Sequence, residues 1–208
     1  MILKEACVAD FEALKTAVDS GANRIELNSN LAEGGTTPAI GTAKMAVDYC
    51  HSKNVKVIAM IRPRGGNFVY SKNELDVMKE DINFLSSINV DGFALGVISE
   101  NHELDFNSID FLTKNIKNKE LVFHMAFDEI DRKHHKKAME QLNNLRFNRI
   151  LSHGTPYSGN LDIDYLREMI SMSNNTLEIL PGGGINSHNV NQICNLIGSQ
   201  QAHGTHIV

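Results

Sequence analysis

Short, continuous apolar runs alternate along the chain with stretches whose apolar residues recur every three or four positions. The run at 55–61 (VKVIAMI) is the clearest of the first kind, and continuity rather than alternation marks a strand buried on both faces. The second kind forms stripes at helical spacing. Phe11, Leu14 and Val18 make one; Ala43, Ala46, Val47 and Cys50 the next; then Leu75, Met78, Ile82 and Leu85. Ile109, Leu112 and Ile116 follow, then Ala138, Leu142 and Leu145, then Ile163, Leu166 and Ile170, and last Val190, Ile193, Cys194 and Ile197. Strand-then-helix units repeated in this way predict an α/β fold, a (β/α)8 TIM barrel in one domain over 1–208. The barrel is minimal: no eighth helix follows the last strand.

Length fits this prediction narrowly. Such barrels usually need about 250 residues and rarely fewer than about 200, and this chain has 208. A hydrophobic content of 42% is enough for a substantial core, and no stretch has the composition of a linker. The net charge of −5 argues against a nucleic-acid partner or an acidic membrane surface, and the basic group at 132–137 (RKHHKK) reads as the solvated face of a helix. No apolar run approaches the roughly 18 residues of a membrane span. Met1 leads directly into a strand and the three cysteines are odd in number, so a cytoplasmic protein without disulfides is expected.

The barrel prediction turns the strand ends into a list of candidate site residues, because chemistry in this fold sits at the C-terminal mouth. The ends are 4–7 (KEAC), 24–28 (RIELN), 60–66 (MIRPRGG), 94–96 (ALG), 123–128 (FHMAFD), 150–154 (ILSHG), 179–185 (ILPGGGI) and 203–206 (HGTH). Side chains two apart share a face, so Glu5 points with Cys7, and Arg24 and Glu26 with Asn28. The same parity turns Arg62, His124, Ser152 and His203 inward. Glu5, Glu26, His124 and Asp128 are the candidate catalytic groups: the carboxylates of Glu5 and Glu26 beside His124 suit proton abstraction next to a carbonyl. No lysine stands at a strand end with the parity for Schiff-base chemistry, since Lys4 faces the other way.

Two loops suggest an anionic ligand. Gly182, Gly183 and Gly184 allow backbone N–H groups to come close to a ligand, and a helix capped by Asn186 or Ser187 is expected to follow. Arg62 and Arg64 could grip the same anion bidentately, with His203 close by. The segment 65–71 (GGNFVYS) is expected to lie over the mouth, with Phe68 and Tyr70 as its apolar cover.

Several of these stretches together resemble the CutC family. They are 5–7 (EAC), 21–27 (GANRIEL), 33–38 (EGGTTP), 60–71 (MIRPRGGNFVYS), 123–128 (FHMAFD) and 181–185 (PGGGI), in order along the chain. The resemblance implies a cytoplasmic (β/α)8 barrel with a role in copper homeostasis. It maps onto Glu5, Cys7, Glu26, Arg62, Arg64, His124, Asp128 and His203. Three departures stand out: Asn28 where the family usually has Cys, Met125 where it usually has Arg, and no further C-terminal segment. Cu(I) prefers sulfur ligands. Cys50 and Cys194 lie on apolar helix stripes at the far end of the barrel, so Cys7 alone is the candidate copper ligand, with His124, His203 or Met125 as its partners.

The resemblance puts copper handling first. The residue chemistry points instead to an enzyme of isomerase or lyase type, working by acid/base catalysis on a small phosphorylated or carboxylated molecule. A final expectation comes from the missing helix. It would leave the outer residues of strand one, Ile2 and Ala6, partly exposed, and a homodimer across the edge of the first and last helices would cover them.

Overall fold

The computed structural model describes residues 2–156, 160–173 and 176–208. Eight strands lie parallel: β1 (Leu3–Val8), β2 (Arg24–Leu27), β3 (Lys56–Met60), β4 (Gly92–Leu95), β5 (Glu120–Phe123), β6 (Arg149–Ser152), β7 (Glu178–Pro181) and β8 (Gln201–Gly204). Between them run α1 (Phe11–Asp19), α2 (Ile40–Ser52), α3 (Lys72–Ser87), α4 (Phe106–Thr113), α5 (Arg132–Asn144), α6 (Ile163–Met172) and α7 (Val190–Ile197). The strand order β7-β6-β5-β4-β3-β2-β1-β8 follows the sequence around a barrel, and a parallel bridge between Gly182 and His203 joins its two ends. Among the described residues no helix follows β8, and the fold is the expected (β/α)8 barrel with seven α-helices.

Local chemistry accounts for the helix starts. Asp10, Asp105 and Asp162 each accept a backbone N–H from the first turn they precede, and Ser71 with Glu74 forms a capping box at α3. The start of α7 differs from expectation. Asn186 N–H bonds to Asn189 Oδ1 at 2.8 Å, and this turn delays the helix to Val190.

The strands divide the core into two. Their outer residues, Ile25, Leu27, Val57, Phe93, Phe123 and Ile150 among them, pack with the helix stripes. Inside the barrel, Ile58, Met60, Ala94, Val122, Leu151 and Leu180 form a separate apolar cluster contributed by β3 to β7. The interior of β1, β2 and β8 carries charge instead: Glu5, Arg24, Glu26 and His203 are all buried. At the N-terminal end of the barrel, Gln201 bonds to Arg24 and Glu178, and Arg149, aligned with Glu178 in the β6–β7 register, pairs with Glu120, which also pairs with Lys56.

Two expectations fail here. Ser152 faces outward, hydrogen-bonded to Asp128 and 3.8 Å from Met169 Sδ on α6. Its neighbour Leu151 takes the interior position, because β6 pairs Ile150 with the outward-facing Phe123. Ala6 is also buried, and so is Ile207 beyond β8, in the same outer cluster. The chain therefore covers most of the opening left at β1, and Ile2 is only partly buried.

Candidate functional site

A cavity of about 310 Å³ opens at the C-terminal mouth. Cys7, Glu26 and His203 line one side, Arg62, Phe68 and His124 another, and Gly183 to Asn186 with Gly204 to His206 a third. Met60, Met125 and Leu151 supply apolar surface from the interior cluster. Charge on one wall and hydrocarbon on the floor follow from the uneven interior of the barrel.

The charged wall is built outward from Arg24. Its Nε pairs with Glu5 Oε2, and the other carboxylate oxygen lies 2.8 Å from His203 Nδ1. Burial alone would raise the Glu5 pKa, but Arg24 and then His203 outweigh it and hold the carboxyl down at about 2. Burial would likewise lower the pKa of His203. Glu26, the Cys7 thiol and Glu5 overcome that and lift it well above the usual histidine value, which favours the imidazolium. Glu26 comes next, its Oε2 3.9 Å from His203 Nε2. Burial pushes Glu26 upward, opposed by His203 and reinforced by Glu5.

Asn28 fixes the geometry of Glu26. Its Nδ2 donates to Glu26 Oε2 at 3.0 Å and to Cys7 Sγ at 3.4 Å. The Cys7 thiol also points at Glu26 Oε2, 3.6 Å away. Glu26 Oε1 is buried and has no hydrogen-bond partner. Burial raises the Cys7 thiol pKa despite His203, so Cys7 rests as a protonated thiol.

The opposite wall holds a neutral histidine. His124 Nδ1 accepts the Ala126 N–H at 3.1 Å, which leaves the ring proton on Nε2. Burial and the neighbouring Arg62 charge depress its pKa to about 3. Its Nε2 is buried without a partner. The Phe68 ring packs against both groups, 5.0 Å from the His124 centroid and 4.8 Å from Arg62 Cζ.

The arginines do not act as expected. Arg62 Nη1 donates to the carbonyls of Glu33 (2.8 Å) and Gly35 (2.9 Å), and Nη2 donates to that of Gly66 (2.7 Å). It ties the loops after β2 and β3 together and brings its charge to the cavity without offering a bidentate fork. Arg64 lies outside the cavity. It is bound to Glu74 and to the carbonyls of Gly65, Asn67 and Val69, with Tyr70 under its guanidinium. Tyr70 packs under Arg64 and, of the two aromatic residues, Phe68 is the one that lines the cavity.

Asp128 is also set apart from the cavity. It accepts from Ser152 Oγ and from His153 N (2.9 Å), and lies 3.0 Å from His153 Nδ1. The His153 ring occupies the space where a Gly183 Cβ would stand, with Cδ2 1.8 Å from that position. Gly183 (φ 112°) and Gly184 (φ 68°) both need glycine's conformational range. Asp128 therefore supports the glycine loop through His153. Of the expected site residues, Cys7, Glu26, Arg62, His124, Gly183, Gly184 and His203 line one cavity. Glu5 stands behind His203, Gly182 bridges to it, and Arg64 and Asp128 serve the loops.

Sequence reasoning grouped Arg24 with Glu26 by parity but gave it no task. Its pairing with Glu5 depends on the alignment of Glu5 with Arg24 between β1 and β2, which no local motif encodes. The roles of Asn28 and His153 were missed for the same reason.

As possible metal ligands, Cys7, Glu26 and His203 offer atoms that all lie within 4.8 Å of one another. Only the thiol is a soft donor, and both it and His203 carry protons that a metal would have to displace. Cys50 and Cys194 are buried on the helical layer, and burial with the nearby Asp91 pushes the Cys50 thiol up to about 12. The donor set suits Cu(I) poorly.

The model of the CutC family matches residues 2–208. A CutC family protein of Enterococcus faecalis is 37% identical over the full length of both chains. The human copper homeostasis protein cutC homolog is 34% identical over 97% of this chain and 72% of its own length. A crystal structure of CutC from Streptococcus agalactiae superposes with a TM-score of 0.96 at 41% identity, covering all of both chains.

Proposed function

The chain belongs to the CutC family, and on that premise we propose that its barrel mouth is the active site of a metal-independent enzyme acting on a small anionic molecule by acid/base chemistry. One observation carries this reading. The cavity is lined by a carboxylate and a neutral imidazole, Glu26 and His124, each with one buried polar atom lacking any partner. Leaving such atoms unpaired costs about 1–3 kcal/mol each; an anionic ligand recovers that cost at the His124 Nε2–H, while Glu26 Oε1 is left as an acceptor able to take a proton. Arg62 adds a positive charge with no carboxylate among its hydrogen-bond partners, which favours an anion. The glycine loop, with Gly183 and Gly184 facing the same space, is the second place where an anion's oxygens can meet backbone N–H groups.

A second reading, copper handling, has its own support. The human and mouse relatives are named for copper homeostasis, and Cys7, Glu26 and His203 could meet at one ion. In that case Cu(I) would be cargo, held by Cys7 and His203 after both lose a proton. Free cysteines accord with the reducing cytoplasm proposed for this protein, and no helix among the described residues is long and apolar enough to cross a membrane. The α1–α7 edge is the proposed contact of a homodimer, and Leu196 on α7 is half exposed.

Thermal unfolding of metal-stripped protein with and without oxalate separates the two readings. A planar dianion that raises the melting temperature in wild type, but about tenfold less effectively in His124→Asn, supports the enzyme site. In that variant the Asn carbonyl can still accept the Ala126 N–H. No response to oxalate, with stabilisation by Cu(I) that Cys7→Ser abolishes, supports copper handling instead.

A further inference from the structure

Two residues that line the cavity, Glu26 and His124, each carry a buried polar atom without a partner, one an acceptor and the other a donor, which narrows the chemistry. Glu26 Oε1 is unpartnered, while Oε2 is saturated by Asn28 and approached by the Cys7 thiol. One oxygen is thus fixed and the other is free to take a proton. His124 presents a neutral Nε2–H, the polarity required to receive a developing oxyanion without first giving up a charge. Arg62 stands beside it, 4.8 Å above the same Phe68 ring. No lysine lines the cavity among the described residues, so nothing there can form an iminium with a carbonyl. A volume of about 310 Å³ lies at the lower end of small-molecule sites.

Resting on the oxyanion-site reading, we propose that the substrate is a small 2-oxo acid and that Glu26 enolises it, with His124 and Arg62 stabilising the enolate oxygen. The carbonyl oxygen accepts the His124 Nε2–H. Glu26 Oε1 takes a proton from the carbon next to the carbonyl. The C–H electron pair becomes the new C=C bond, and the C=O π pair moves onto oxygen as the enolate charge, facing the Arg62 guanidinium. Glu26 then holds the proton as a carboxylic acid, where it exchanges with solvent, and Glu26 returns a solvent-derived proton to carbon, which completes the cycle without an oxidant and, in D2O, replaces methyl hydrogen by deuterium. The carboxylate supplies the negative charge that Arg62 and the glycine loop favour. The apolar floor of Met60, Met125 and Leu151 lies under the reacting carbons and limits their access to water.

Four groups act on Glu26 from neighbouring positions: Cys7 and Glu5 on β1, His203 on β8 and Asn28 at its own strand end. Glu5 is neutralised by Arg24, and His203 lies on the side of Oε2. These contacts orient Glu26 and leave Oε1 as its only free basic oxygen.

The test uses pyruvate as substrate probe and oxalate as a planar mimic of its enolate, on metal-stripped wild-type protein, Glu26→Gln and His124→Asn. Proton NMR in D2O follows loss of the pyruvate methyl signal. The proposal expects wild type to exchange that signal at least about tenfold faster than buffer, and Glu26→Gln to fall to the buffer rate while still binding oxalate. It expects His124→Asn to bind oxalate roughly ten- to a hundredfold more weakly, the value of one hydrogen bond to a charged group. Oxalate binding without pyruvate exchange in wild type would overturn enolisation but leave the oxyanion site standing. Exchange that persists in Glu26→Gln would overturn Glu26 as the base. Failure of wild type to bind oxalate would remove both this proposal and the reading beneath it.

Discussion

Glu5 and His203 form the hinge between structure and chemistry in this barrel: Oε1 of the acid lies 2.8 Å from Nδ1 of the imidazole, while Arg24 occupies Oε2. All three are buried. The charges alternate along Arg24, Glu5, His203 and Glu26, so each is compensated by its neighbour. That sequence of charges explains how the interior of β1, β2 and β8 can be ionic beside the apolar cluster that β3 to β7 contribute.

Glu5 should therefore stabilise the fold in a pH-dependent way. Its folded pKa is depressed to about 2 from an ordinary 4.5. Its contribution is therefore complete above the unfolded value and fades as pH falls from about 4.5 toward about 2. Glu5→Gln should cost about 3 kcal/mol at neutral pH, and the gap to wild type should narrow through that acid window. His203 works in the opposite direction: its raised pKa gives stability below about 6.5 that is lost as pH rises through the folded value. Urea unfolding across pH measures both limbs. A gap between wild type and Glu5→Gln that stays constant down to the acid limit would contradict the pairing.

Gly183→Ala should destabilise by about 1–3 kcal/mol through overpacking, with added strain at φ 112°. The colliding group is the His153 ring, so His153→Ala should relieve part of the cost. A double-mutant cycle by thermal unfolding tests this. An identical cost in both backgrounds would show that His153 does not fill the Cβ position.

Much of this was legible in the sequence, for definite reasons. Buried parallel strands are continuous in hydrophobicity, as at 55–61, and the stripes at Leu14, Val18, Ala46, Cys50, Met78 and Ile82 follow helical spacing, so the barrel could be read from periodicity alone. Parity placed Glu26, Arg62, His124 and His203 at the cavity correctly. It misplaced Ser152 because the register of a short strand depends on its neighbour, here β5. What a side chain bonds to at the mouth was not legible. Arg62 and Arg64 look like an anion clamp in sequence, but Arg62 bonds to carbonyls of loops and Arg64 to such carbonyls and to Glu74, partners that only the fold determines. Asp128 looked catalytic for the same reason.

If copper is bound, the thiols should be unequal. Cys50→Ser and Cys194→Ser should leave Cu(I) affinity unchanged, because both thiols are buried on the helical layer. Cys7→Ser should lower it. Affinity in wild type should rise with pH, since Cys7 and His203 must lose protons. Competition against a chromogenic Cu(I) chelator reads all four. Loss of affinity in either helix variant would show that a thiol outside the mouth takes part.

Self-association should respond to the α1–α7 edge. Leu196 is 53% exposed on α7, and Leu196→Glu should convert a dimer into a monomer in light scattering at micromolar concentration. A wild-type monomer would contradict the dimer. A dimer indifferent to Leu196→Glu would move the contact elsewhere on the barrel.

That the mouth takes a small oxyanion at His124, beside Arg62, is tested most directly by a crystal structure of metal-stripped protein grown with oxalate. The account predicts planar density in the cavity with an oxygen within hydrogen-bonding distance of His124 Nε2, beside Arg62 and against Phe68. Density for oxalate anywhere else, or an empty mouth at saturating oxalate, would contradict it.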